Sequence, residues 1–123
     1  MADWFEFAAD DLTAARICAD NFPPLVEIAC YHCQQCAEKM LKGFLSLNGV
    51  TPPKTHDLRE LCRLSEIKNP DFSRISQECI LLSPYGVNVR YPNSIEVEES
   101  DMKKAITDAE KILVFVEKTV REM

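Results

Sequence analysis

The sequence predicts an all-α protein, an up-and-down bundle of four to five helices, and three observations carry that prediction. Apolar residues recur at steps of three and four along each long segment, the spacing that gathers them on one helix face. The breaks between segments fall at Asn21-Phe22-Pro23-Pro24, Asn48-Gly49 and Asn69-Pro70-Asp71, residues that stop helices and open turns. The chain has 123 residues, enough for one core and one domain, so residues 1–123 read as a single unit.

The first helix is expected from about Trp4 to Ala19, with Asp3 as its N-cap and Trp4, Ala8, Leu12, Ala15 and Cys18 on one stripe. The second runs from about Pro24, a residue suited to a first turn, to Leu47. Its apolar face is continuous through Ala29, Cys33, Cys36, Met40 and Phe44, and Asn48-Gly49 ends it as a left-handed cap would. Thr51-Pro52-Pro53-Lys54 is a stiff connector, after which Thr55 is the expected cap of a short third helix carrying Leu58, Leu61 and Cys62. A fourth helix is expected over about 72–82, with Phe72, Ile75, Cys79 and Leu82 inward. Ser83 to Val97 contains Pro84, Gly86 and Pro92 and reads as a long irregular loop, a length that tends to be functional. Ser100 is the expected cap of the last helix, whose stripe from Met102 through Ile112 and Val116 to Val120 is the cleanest in the chain. Short connections between long helices imply antiparallel neighbours.

The bulk properties narrow the partners. Apolar residues make up 46 %, which argues against disorder. No apolar stretch approaches a bilayer span, and Met1-Ala2-Asp3-Trp4 carries neither a basic nor an apolar leader, so a cytoplasmic protein away from membranes is expected. Twenty acidic against fourteen basic side chains give a net charge of −6, which disfavours duplex nucleic acid at long range. Lys39, Lys42, Lys54 and Arg59 are close enough in sequence to build a local basic groove against that background.

Cys30, Cys33 and Cys36 stand at C-x2-C-x2-C, a spacing also found in cluster-binding loops. Here the run lies inside a helical pattern with no Gly or Pro to bend the backbone around an ion, and no fourth ligand is evident. At steps of three the sulfurs form a stripe, so these cysteines are expected in the core, with no metal and no cofactor.

On the second helix His32, Gln35, Lys39 and Lys42 share a polar stripe, and Glu38 with Lys42 makes an i,i+4 ion pair in the favourable order. That stripe is either a solvated face or a groove in which Gln35 and Lys39 hold an anion or a base edge. His56 falls in the first turn of the third helix, where it serves structure, for instance by bonding across to the second helix, or binds a ligand. Arg90 in Arg90-Tyr91-Pro92 suits a bidentate phosphate clamp and Tyr91 a stacking platform.

The run Cys33-Gln34-Gln35-Cys36-Ala37-Glu38-Lys39-Met40, then Lys54-Thr55-His56-Asp57-Leu58, then Arg90-Tyr91-Pro92 resembles, in this order, the HEPN family. That helical module is common beside minimal nucleotidyltransferases and in RNA-targeting defence proteins, and the resemblance spans Trp4 to about Val120. In HEPN ribonucleases an Arg is followed several residues later by a His that moves the proton of the ribose 2′-OH while the Arg stabilises phosphorane-like charge. This chain reads Ser94-Ile95-Glu96-Val97 after Arg90, with no histidine. It therefore resembles the non-nuclease branch, whose proposed role is to bind nucleotide or substrate beside a separate nucleotidyltransferase, as the helical domain of kanamycin nucleotidyltransferase does. The resemblance implies a non-catalytic module in a toxin–antitoxin-like pair, acting as a homodimer. A groove of Gln35, Lys39, His56, Arg90 and Tyr91 would face a nucleotide or related phosphate ligand. The alternatives are a ribonuclease toxin using Arg90 with a displaced base, and a pure protein-interaction module.

Overall fold

A computed structural model describes residues 3–86 and 96–123 of the chain. Five α-helices make up its regular structure: α1 (Trp4–Asp20), α2 (Val26–Leu47), α3 (Leu58–Lys68), α4 (Ser76–Leu82) and α5 (Glu99–Arg121). Short 3₁₀ helices at Pro70–Ile75 and Ser83–Gly86 flank α4. Among the described residues there is no strand, and no helix is long and apolar enough to cross a membrane.

The caps explain where these helices begin. Asp3 accepts from the amides of Phe5 (3.0 Å) and Glu6 (3.2 Å), as its position predicts. At the end of α2, Gly49 has φ +76°, and the amides of Gly49 and Val50 return to the carbonyls of Ser46 and Leu45. This paired return satisfies carbonyls that the helix leaves open, and it requires a residue without a Cβ penalty at the turn. Two expected caps are displaced. Asp57, not Thr55, caps α3 by accepting from the amide of Arg59 (3.0 Å), while the Thr55 hydroxyl accepts from the amide of Asp57 (3.1 Å). His56 therefore precedes the helix instead of lying in its first turn. Glu98, not Ser100, caps α5, in a reciprocal box with Asp101, whose carboxylate accepts from the Glu98 amide (2.9 Å).

The expected fourth helix is two pieces. Asn69 accepts from the Asp71 amide and Pro70 opens a 3₁₀ run, which passes into α4 only at Ser76. Phe72, Ile75, Cys79 and Leu82 are all buried regardless, because both helix types return to one face every three to four residues. The loop expected from Ser83 likewise begins as a 3₁₀ turn.

The helix order in space is antiparallel for α1 and α2: Gly43 meets Phe5 and Trp4, Lys39 and His32 meet Asp11, and the Leu25 amide meets the Cys18 carbonyl. Helix α2 is the hub, packed against α1, α3, α4 and α5. The core gathers Ala8, Leu12 and Ala15 from α1, the α2 stripe, and Met102, Ala105, Ala109, Ile112 and Val116 from α5. Phe72 stands at its centre, 4.3 Å from the ring of Phe44 and edge-on to Phe115 at 5.0 Å.

Candidate functional site

The cysteine run lies in that core. Cys30, Cys33 and Cys36 are fully buried, and burial pushes the thiols of Cys30 and Cys36 up to about 12 and that of Cys33 further. Groups held this firmly in the protonated form pack as small hydrophobes.

The polar stripe of α2 is not a solvated face. Glu38 and Lys42 form the expected ion pair at 3.1 Å, but their side chains are only 8 % and 10 % exposed. Glu38 is the centre of a network. Both of its oxygens face Nδ1 of His56, at 2.9 and 3.1 Å. Gln34, also buried, donates to the His56 carbonyl (2.9 Å) and to Glu38 (3.4 Å), and accepts from the Gln35 amide group (2.9 Å). An ionised carboxylate can only accept, so Nδ1 of His56 carries the proton and Nε2 is the nitrogen left for a ligand. His56 is 62 % exposed while its partner is buried. A hidden acid thus fixes the orientation of an imidazole open to solvent, the arrangement by which a carboxylate positions a histidine for proton transfer or ligand contact.

Gly86, at the end of the second 3₁₀ turn, packs directly on the Gln34 side chain. A Cβ on Gly86 would stand 2.7 Å from the amide of Gln34. The chain thus enters the segment that carries Arg90 directly from the Gln34 surface, and Val97 is buried again at that segment's far end. Arg90 and Tyr91 themselves lie outside the described residues.

The remaining expected residues divide. Gln35 joins the network through Gln34. Lys39 turns instead to α1, where Asp11 takes both its ammonium and Nδ1 of His32 (2.9 Å). The basic groove read from Lys39, Lys42, Lys54 and Arg59 does not form, because three of them are tied to Asp11, Glu38 and Asp57. Gln34, Glu38 and Asp11 are absent from the sequence-derived site. Positions 34, 38 and 42 do recur at steps of four, a second polar row beside the apolar stripe and the one signal that could have found them.

At the neighbouring seam Asp57 accepts from Arg59 and from the Ser83 hydroxyl (3.3 Å), while Ser83 accepts from the Leu58 amide (3.0 Å). The Arg59 hydrogen bond leads in holding the Asp57 carboxyl below its usual range. These contacts fasten the start of α3 to the turn that carries Gly86.

The HEPN domain family model matches residues 1–119. The chain belongs to the HEPN family. This HEPN domain is similar in structure to an archaeal HEPN homologue, ST0689, at 30% identity with 96% of this chain and 95% of that one covered and a TM-score of 0.76. It is similar also to TT1696 from Thermus thermophilus, at 26% identity, 94% coverage of both chains and a TM-score of 0.82. No protein of curated function matches the sequence. The family match confirms the resemblance to the HEPN family, and the two structures confirm the all-helical architecture.

Proposed function

We propose that this HEPN domain is a non-catalytic binding module that holds a nucleotide or related phosphate-bearing ligand. In this reading it acts as a symmetric homodimer and partners a minimal nucleotidyltransferase in a toxin–antitoxin-like pair. The observation that carries the reading is the Glu38–His56–Gln34 network: a fully bonded polar surface beneath an exposed imidazole, from which the Arg90-bearing segment departs at Gly86. Arg90 supplies the phosphate clamp, Tyr91 a stacking face, and His56 and Gln35 the flanking polar contacts. Lys39, bound to Asp11, contributes charge at the edge of the site. The sequence after Arg90 has no histidine, which removes the proton-transfer group of the family's nucleases.

Calorimetry with adenine and guanine nucleotides tests the reading. Arg90→Ala is expected to weaken binding by roughly 1.5–3 kcal/mol, about ten- to a hundredfold, the worth of a charge-assisted phosphate contact. Equal affinity in both proteins excludes Arg90 as the clamp.

One observation favours a second reading, an RNA-cleaving HEPN domain with a displaced base. His56 held on Glu38 is an oriented proton acceptor of the kind such cleavage needs. RNA cleavage by the wild type that is lost in both His56→Ala and Arg90→Ala decides for this reading over the first.

A further inference from the structure

The start of α1 and the end of α2 frame an open cleft of about 730 Å³, which shares no lining residue with the Glu38–His56 network. Trp4 and Phe5 line it from α1, and Gly43 and Leu47 from α2. A Cβ on Gly43 would meet Trp4 and the Phe5 ring at 2.8 Å, so the bare backbone there lets both aromatic residues lie directly on α2. Trp4 is partly exposed and Leu47 is 53 % exposed. Taking that indole and that leucine out of water together stabilises a complex, and the volume matches the roughly 300–1,000 Å³ of built binding clefts.

Charge selects what fits. Among the described residues the lining holds two exposed carboxylates, Asp3 and Glu6, and no basic side chain. The cap of α1 uses only Oδ1 of Asp3. Leu47 belongs to the last turn of α2, the negative end of its dipole, and that turn carries no basic residue. A cationic group is therefore drawn in and an anionic one repelled.

We propose that this cleft docks a segment of a partner protein that inserts an apolar side chain flanked by lysine or arginine. The apolar residue fills the space beside Trp4 and Leu47, and its basic neighbours reach Glu6 and the second oxygen of Asp3. A second copy of this chain lacks that chemistry at its most exposed aromatic residue. Phe22 is 95 % exposed, yet Asp20 precedes it, Glu27 follows it, and no lysine or arginine lies between. Docking here requires no ligand at His56, so it stands or falls apart from the phosphate-binding reading.

Trp4 is the only tryptophan in the chain, so its emission reports on this cleft. The test titrates the full chain with an amphipathic peptide of leucine and lysine that contains no tryptophan. The same peptide with glutamate in place of lysine is the control. The lysine peptide is expected to shift the Trp4 emission to shorter wavelength and to saturate, and the glutamate peptide to leave it unchanged. Leu47→Lys should weaken the lysine peptide about tenfold or more, because it sets a like charge in the cleft. Glu6→Lys should weaken it severalfold, whereas Asp20→Lys, the same charge change at the other end of α1, should leave it near wild type. All three positions are exposed, so the fold tolerates these changes, and circular dichroism verifies it. No emission change with the lysine peptide overturns the proposal, as does equal binding of both peptides or undiminished binding to Leu47→Lys. Equal losses in Glu6→Lys and Asp20→Lys also overturn it, as does a Trp4 shift on concentrating the protein alone, which marks a second copy in the cleft.

Discussion

Two carboxylates, Asp11 of α1 and Glu38 of α2, each hold one histidine and one lysine, and they do different work. Asp11 binds His32 and Lys39, all three partly covered where α1 lies on α2. Glu38 binds His56 and Lys42, with the acid and the lysine buried and the histidine largely exposed. In the first cluster the ions tie one helix to another. In the second the ions are hidden to hold a connector residue outward. The same three kinds of group thus fasten a seam on one side and present a functional group on the other, and burial makes the difference. Breaking a buried pair strands a charge, whereas breaking a wet one mostly hands its ions back to water.

The largest effect is expected at the buried cluster. Glu38→Ala leaves the Lys42 ammonium in a dry site and frees His56, and it should cost about 3–5 kcal/mol in denaturant unfolding. A cost near that of a surface pair would show that the cluster is wetter than its geometry implies. On the α1 side size matters more than charge. A Cβ on Gly43 would meet the Phe5 ring and Trp4 at 2.8 Å, so Gly43→Ala should lift the start of α1 and cost about 1–3 kcal/mol. Asp11→Ala should cost less, about 1 kcal/mol, because His32 and Lys39 both reach solvent. If Asp11→Ala proves as damaging as Glu38→Ala in the same assay, the contrast between the clusters fails.

The smallest effect concerns pH. The folded state holds the Asp57 carboxyl low, so its contribution is complete above the ordinary carboxylate range and fades as pH falls through that range, around pH 4 and below. Its side chain is 39 % exposed, which keeps the contribution modest. Asp57→Asn retains a capping oxygen but cannot titrate, so its melting temperature should fall less than that of the wild type between neutral pH and about pH 3.

The helices are legible in the sequence because apolar spacing is a local property: Ala29 to Phe44 and Met102 to Val116 can be placed from their neighbours alone. The caps are less so. Thr55 and Asp57, or Ser100 and Glu98, stand within two residues of each other, and only the path of the backbone decides which oxygen reaches the first free amide. The site is legible in part. Gln35 and His56 stand out as polar residues on suitable elements, yet the hub that links them reads as a solvated ion pair. Glu38 meets His56 of the connector across eighteen residues, a contact that no local period contains. Asp11 escapes for the same reason, its partners lying on the next helix.

The central place of α2 bears on how the chain is made. It leaves the ribosome well before α5, which covers much of its apolar face with Met102, Ala105, Ala109, Ile112 and Val116. Until those residues clear the exit tunnel, the nascent chain carries a long helix with an uncovered oily flank. The core therefore closes only once α5 has emerged, and the growing polypeptide is until then a client for chaperones that shield apolar surface.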